Sequence, residues 1–313
     1  MRGFILRRAV ASVFALMGAT LIVFGLSRVV GDPRYLYAQE GYGLDEAAWE
    51  DLGKQLGLDK PLVVQYFIWL GRVVKGDLGD SLIGRQPVSE LIAHKIGNTL
   101  QLSLAAFIFA TVVGVPLGVL SAVRRGSVLD LAGRGFAALG QAAPPMWVGI
   151  MGILILAVRL DWLPTGTMGE GPTMANMEYF IMPAVILGWQ SASGYLRLTR
   201  SAMLEVLDTE YIKFARAKGV RGSAVIWKHA FKNASLVPLT YSALLLVGFM
   251  TGVVVTETVF SWPGMGRLAV DSIWDSDFPI LSALVLIFAA LYVIVVLILD
   301  ILYGILDPRI RYE

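Results

Sequence analysis

The chain has 313 residues, of which 56% are hydrophobic and 16% are charged, and its mean hydropathy is +0.67. This composition is typical of a membrane protein and excludes an ordinary soluble domain, whereas the net charge of +2 points to no class of partner. The absence of cysteine excludes disulfides and Cys-ligated metals. The two histidines, His94 and His229, lie far apart without acidic residues at metal-ligand spacing, which argues against a zinc site.

The N-terminus combines a basic segment with an apolar one. Arg2, Arg7 and Arg8 precede an apolar stretch at 9–26, which is long enough to cross a bilayer and too long for the apolar part of a signal peptide. No small-x-small cleavage site follows it. We therefore expect residues 1–30 to form an uncleaved transmembrane helix that starts inside the cell.

Residues 31–97 are polar, with short apolar pieces, and are predicted to form an extracytoplasmic segment. One piece, PLVVQYFIWLGRVV at 61–74, is too short to span a membrane and contains Arg72. It is expected to be an amphipathic helix lying on the membrane surface, with Pro61 in its first turn.

Five further spans are predicted at about 99–123, 136–158, 179–199, 236–257 and 280–305. Six spans place both termini on one side. The two short outer loops carry only Arg159 and Arg267, whereas 16 of the 26 lysines and arginines fall on the other side. The positive-inside rule therefore puts both termini, including the tail at 307–313, in the cytoplasm.

A polar stretch between the fourth and fifth spans, DTEYIKFARAKGVRGSAVIWKHAFKN at 208–233, carries a net charge of +4. Asp208 is a candidate helix N-cap, and Gly219 is the residue type that ends a helix in the left-handed conformation. The predicted helix places four side chains on one face, namely Tyr211, Phe214, Ala215 and Lys218. By these features alone, an ordinary basic cytoplasmic loop is an equally good interpretation.

The sequence lacks the motifs that mark common enzymes. It contains no G-x-x-x-x-G-K-[ST], no H-E-x-x-H and no G-x-S-x-G, so we expect no ATP hydrolysis and no catalytic residues. The acids near the spans, Asp161, Glu257 and Asp300, lie close to the predicted helix ends. An ion-coupled secondary transporter would be expected to show mid-span acids or a two-fold repeat, and the sequence shows neither convincingly. A membrane enzyme would need a convergent catalytic set, which is missing.

The polar stretch resembles the cytoplasmic "EAA" loop of ABC-importer permeases, and more narrowly that of the dipeptide/oligopeptide branch. The similarity lies in Phe214-Ala215-Arg216-Ala217-Lys218-Gly219, followed by His229, Asn233 and Pro238, with Lys213 where the general motif has Glu. Further stretches resemble the same branch: GDLGDS at 76–81, PVSELI at 87–92, WLPTG at 162–166, ETVFSWPGMG at 257–266 and DPRIR at 307–311. Trp162 and Trp262 in these stretches are expected to lie at the headgroup level.

The resemblance implies an all-α membrane protein with six transmembrane helices and the type I ABC-importer fold, its core at 98–306 and its coupling loop at 200–235. It implies docking of this loop on a separate ATPase through Glu210, Tyr211, Lys213, Phe214, Ala215, Arg216, Ala217, Lys218 and Gly219.

The implied function is import of di- or oligopeptides across the bacterial inner membrane. The implied partners are a second permease, two ATP-binding subunits that hold ATP and Mg, a periplasmic binding protein and membrane lipid, with no nucleic acid and no cofactor in this chain. Nickel, glutathione or oligosaccharides are alternative cargoes within the same family.

Overall fold

The computed structural model describes residues 2–29, 34, 46–55, 57–169, 176–251 and 253–306. These residues are helical with connecting turns, and they contain no β-strand beyond an isolated bridge between Asp80 and Pro87. The helices are α1 (Arg2–Val29), α2 (Glu46–Gln55), α3 (Leu62–Val74), α4 (Val88–Val123), α5 (Val128–Ala142), α6 (Pro145–Gly152, continued by a π-helix at Ile153–Arg159), α7 (Met177–Leu207), α8 (Glu210–Ala217), α9 (222–234, with a π-helix at Val225–Phe231), α10 (Leu236–Thr251), α11 (Val254–Val259), α12 (Met265–Trp274) and α13 (Phe278–Leu306).

The chain forms two compact units, one of Met1–Ile96 with Leu268–Glu313 and one of Gly97–Arg267. In the first unit, α1 packs along α13 and also contacts α3. The predicted amphipathic helix is present as α3, directly after Pro61. It is tied to α1 by a hydrogen bond of 2.8 Å between the hydroxyls of Tyr66 and Thr20, and by an edge-to-face contact of Tyr66 with Phe24.

Among the described residues, three helical stretches are long and apolar enough to cross a bilayer: Leu6–Arg28, Val88–Val123 and Phe278–Ile298. They coincide with the predicted first, second and sixth spans. The predicted fourth span lies inside α7. The second helix starts 11 residues before its predicted span at 99, because the polar stretch from Val88 is also helical.

The third predicted span, at 136–158, falls on two helices that are bent against each other rather than on one straight helix. The chain bends by 106° between α5 and the helix that follows it. Ala143 and Pro144 are extended, with ψ of 128° and 130°. Each of these residues precedes a proline, and proline disfavours the helical conformation at the residue before it. Pro144 and Pro145 therefore end α5, and Pro145 opens α6.

Close helix packing organises the second unit. A side chain at Gly114 would place its Cβ 2.5 Å from the carbonyl oxygen of Ala192, and one at Gly118 would lie 2.8 Å from that of Leu196. The two glycines, four residues apart, thus let α4 approach the backbone of α7, as a small-xxx-small pair does.

Several side chains after α10 are buried, and Trp262 is therefore not the lipid-exposed headgroup anchor that its residue type suggests. Trp262 is fully buried, donates from Nε1 to the carbonyl of Asn98 at 3.0 Å and packs on Phe180 with ring centroids 4.6 Å apart. Glu257 is fully buried beside it, accepting hydrogen bonds from Thr99 Oγ1 at 2.7 Å and from the backbone N–H of Arg267 at 3.0 Å. Trp162, by contrast, is 70% exposed.

Candidate functional site

The candidate docking helix α8 is short and follows α7 almost directly. The prediction that Asp208 is its N-cap is wrong: Asp208 ends α7, and Thr209 occupies the N-cap position with extended backbone. The Thr209 hydroxyl does not cap α8 but donates to the carbonyl of Val206 at 2.6 Å. The sequence rule failed here because α7 continues to Leu207, so that Asp208 is the C-cap of α7 instead of the N-cap of α8.

The other end of α8 is closed as predicted by Gly219, whose φ is +75°. The N–H of Gly219 donates to Arg216 O at 2.9 Å, and the N–H of Val220 donates to Ala215 O at 3.2 Å. This pair of bonds is the Schellman motif, which satisfies carbonyls that the helix leaves free. The direction of the chain leaving α8 therefore depends on a left-handed residue.

One side chain anchors α8 to the rest of the second unit. Ile212 is fully buried, in a cluster that also contains residues from α4, α7 and α9. The other buried members are Val119, Ala122, Ala202, Met203, Val225, Ala230 and Ala234. Because interiors are closely packed, a displacement of α8 would be transmitted through Ile212 to all three helices.

The opposite side of α8 carries exposed aromatic and charged groups. Phe214 is 66% exposed and Tyr211 is 43% exposed. Tyr211 is held in place by Asn233, whose Nδ2 donates to the Tyr211 hydroxyl at 2.9 Å. Trp227, on the π-helical part of α9, is 49% exposed. Aromatic side chains on a helix that is anchored to the protein interior are suited to fill apolar pockets of a partner protein.

The remaining predicted docking residues divide between the two sides. Ala215 is half-buried against the Ile212 cluster, so it does not share the exposure of Phe214. The other five are exposed: Glu210, Lys213, Arg216, Ala217 and Lys218. Lys213 and Glu210 form a surface ion pair at 2.8 Å, and such exposed pairs contribute little to stability.

A buried ion pair links α5 and α7, and the sequence alone does not predict it. Arg200 on α7 donates from Nε and Nη2 to the two carboxylate oxygens of Asp130 on α5, at 2.7 and 2.9 Å. Asp130 is 2% exposed and also accepts from the Ser121 hydroxyl and the Gly126 N–H. The two ionic partners are 70 residues apart in sequence, and no local pattern links them. The pair joins α5 to the part of α7 that leads into α8.

Within the described ranges, no three histidine, aspartate or glutamate side chains lie together in an arrangement suited to a metal ion. Apart from Glu210, the large or charged side chains exposed on α8 and α9 are aromatic or cationic. Chemically, this arrangement can bind another protein.

Comparison with known families matches almost the whole chain. Residues 1–103 match the N-terminal part of the binding-protein-dependent transport system membrane component family, and residues 114–312 match the binding-protein-dependent transport system inner membrane component family.

Individual relatives are similar over their full lengths. The oligopeptide transport system permease protein AppB of Bacillus subtilis is 40% identical over 100% of both chains. The dipeptide transport system permease protein DppB of Escherichia coli K12 is 38% identical over 99% of both. The di/tripeptide transport system permease protein DppB of Pseudomonas aeruginosa is 36% identical over 100% of both.

A crystal structure of the inward-facing MetNI methionine ABC transporter contains a similarly folded chain. The TM-score is 0.56 at 16% identity, and the match covers 69% of this chain and 96% of the MetNI chain. At this identity the likeness establishes the fold alone, which is that of a type I ABC-importer transmembrane subunit.

Proposed function

Because the chain belongs to the family of inner membrane components of binding-protein-dependent transport systems, we propose that it is the permease subunit of a peptide ABC importer in the bacterial inner membrane. The observation that carries this proposal is the end-to-end similarity to three peptide permeases. The chain has no nucleotide-binding motif of its own. It is therefore a transport subunit rather than an enzyme, and ATP with its Mg belongs on separate subunits.

The proposed contact with the ATPase is the exposed side of α8. Phe214 and Tyr211 are large and exposed, and removing their aromatic rings from water is favourable. The stretch 208–233 around them carries a net positive charge. An ATPase cleft lined by apolar and acidic groups would complement them. Lys213, Arg216 and Lys218 would steer the encounter, while the aromatic pair would supply most of the binding energy.

The proposed mechanism follows from the burial of Ile212. Closure of the ATP-bound subunits displaces α8, and the cluster around Ile212 passes this displacement to α4, α7 and α9. ATP can shift the membrane equilibrium only if it binds the closed ATPase state more tightly. A second permease chain, two ATPase subunits and a periplasmic binding protein that delivers the cargo complete the proposed assembly.

The proposed domain plan has a first transmembrane helix at 1–30, an extracytoplasmic segment at 31–97, the permease core at 98–306 and a cytoplasmic tail at 307–313. Topology is tested with single cysteines, because the native chain has none. A cysteine at Ser223, which is exposed beside α8, should be protected from an impermeant thiol reagent in intact cells. A cysteine at Asp80, which is also exposed, should react. The reverse pattern would invert the topology.

The cargo is tested by uptake in proteoliposomes that contain the complete transporter and its binding protein. Labelled dipeptide and oligopeptide uptake should require ATP, whereas nickel, glutathione and an oligosaccharide should neither be taken up nor compete. Uptake of one of these three with no peptide uptake would overturn the peptide assignment but not the permease assignment. ATP hydrolysis by the purified chain alone would overturn the permease assignment.

A further inference from the structure

A cavity with a volume of about 160 Å³ lies in the first compact unit, against the ends of α1 and α3 and the start of α13. Single waters need far less room, and pockets for drug-sized ligands run from about 300 to 1,000 Å³. The cavity therefore suits a small polar group rather than an oligopeptide. Its lining includes the rings of Phe24 and Trp69, and beside them Gln65, Arg28, Arg72 and Asp77.

Gln65 presents an unsatisfied acceptor in this lining. The side chain is buried, and its Nε2 donates to the carbonyls of Leu58 at 3.1 Å and Lys60 at 2.8 Å. These two carbonyls fix the orientation of the amide, because the amide oxygen could not donate to them. Oε1 is left buried with no hydrogen-bond partner among the described residues. A buried acceptor without a donor is costly, and a ligand that carries an N–H or O–H group would remove that cost.

The charges around Gln65 are of both signs. Arg28 lies over the ring of Phe24, 4.9 Å from its centroid, and Arg72 is the second guanidinium in the lining. Asp77 supplies a carboxylate whose Oδ1 accepts from the Gly79 N–H at 3.1 Å. Two guanidiniums match a phosphate, whereas a carboxylate and an amide oxygen match a donor group that carries positive charge.

The position along α1 places the cavity at the membrane boundary. The apolar stretch Leu6–Arg28 ends at Arg28, and a tryptophan such as Trp69 suits the headgroup level. Leu26 on α1 and Phe67 on α3 are both about 60% exposed, so apolar surface continues from the helices that border the cavity. A ligand that combines a zwitterionic head with acyl chains fits this arrangement.

We propose that this cavity binds the headgroup of phosphatidylethanolamine. Its phosphate accepts hydrogen bonds from Arg28 and Arg72, and its ammonium group donates to Gln65 Oε1 and to the carboxylate of Asp77. Phosphatidylcholine has the same net charge, but its methylated nitrogen has no N–H. The site therefore discriminates between the two lipids through Gln65 and Asp77.

The test is native mass spectrometry of the delipidated full chain in detergent, titrated with each lipid. Phosphatidylethanolamine should bind roughly 2- to 10-fold more tightly than phosphatidylcholine, as expected for one net hydrogen bond. Soluble glycerophosphoethanolamine should compete only weakly, because it lacks acyl chains. Competition equal to that of the lipid would identify a free phosphodiester as the ligand and overturn the lipid assignment.

Three variants test the residue roles. Asp77→Asn, at an exposed position that does not endanger folding, and Gln65→Leu should each reduce the preference for phosphatidylethanolamine. Arg72→Gln should weaken both lipids equally. Gln101→Leu, an exposed glutamine outside the cavity on α4, is the matched control and should leave binding unchanged. Equal binding of the two lipids by the unaltered chain would overturn the proposal. So would a preference of undiminished size in both Asp77→Asn and Gln65→Leu, or a tighter binding of anionic phosphatidylglycerol.

Discussion

Phe214→Ala is expected to weaken binding of the ATPase subunit by roughly 5- to 30-fold. Phe214 is 66% exposed, so about two-thirds of its surface is available to a partner. Complete burial of a phenylalanine side chain is worth about 1.5–3 kcal/mol, and two-thirds of that is about 1–2 kcal/mol, which gives the stated change in affinity. Because the anchor Ile212 lies on the other side of α8, the amount of protein in the membrane should not change.

The measurement is the dissociation constant of the purified ATPase subunit for the chain in lipid nanodiscs, by biolayer interferometry. Phe14 on α1 provides a matched control, since it is 67% exposed and far from α8 in sequence. Phe14→Ala should bind the ATPase like the unaltered chain. Unchanged ATPase binding by Phe214→Ala at normal abundance would refute the reasoning, as would an equal loss in both variants.

Three further substitutions test the elements around the docking helix. Gly219→Val should lower uptake relative to ATP hydrolysis in the reconstituted transporter, because a left-handed β-branched residue costs about 1–2 kcal/mol and would redirect the chain after α8. Gly118→Leu should lower the melting temperature and abundance of the protein, because its Cβ would lie 2.8 Å from the carbonyl of Leu196 and overpacking costs about 1–3 kcal/mol. Asp130→Asn should destabilise the protein by about 3 kcal/mol, the lower end for a broken buried pair, because Arg200 is 21% exposed; chemical denaturation checks this value.

Each substitution has a control of the same type. Gly222→Val lies close to Gly219 in sequence, with open space around its would-be Cβ and no positive φ; it should transport normally. Gly97 is on the same helix as Gly118, but a Cβ added at Gly97 would have no neighbour within 4 Å. The Gly97→Leu protein should therefore keep the melting temperature of the unaltered chain. Glu210→Gln breaks the exposed pair with Lys213 and should change stability by less than about 1 kcal/mol. A variant that behaves like its control would contradict the role assigned to that residue.

The sequence by itself determined the features that depend on local chemistry. The length of an apolar stretch predicts a membrane helix wherever it occurs, and this located three of the spans and the helix α7. Gly219 was predicted to be left-handed because a side chain is penalised there whatever surrounds it. The short amphipathic helix after Pro61 and the helical docking segment were likewise readable from spacing and end signals, and motif resemblance identified the family.

Only the tertiary structure decided which side chains face inward. Ile212 and Phe214 are both large and apolar and lie two residues apart, yet one is fully buried and the other is 66% exposed. The difference arises because α4, α7 and α9 pack against the side of α8 that carries Ile212. No pattern within the loop sequence predicts that packing.

The same holds for the buried polar groups. Asp130 and Arg200 are 70 residues apart in sequence. Trp262 belongs to a residue type that often lies at the headgroup level, yet it is interior because Phe180 and the Asn98 carbonyl lie beside it. Contacts between residues distant in sequence depend on how whole helices pack. Hydropathy averaged along the chain contains no information about that packing. The sequence therefore predicted the helix α8, which we propose to be the docking helix, whereas its packing against α4, α7 and α9 decided which of its side chains are buried.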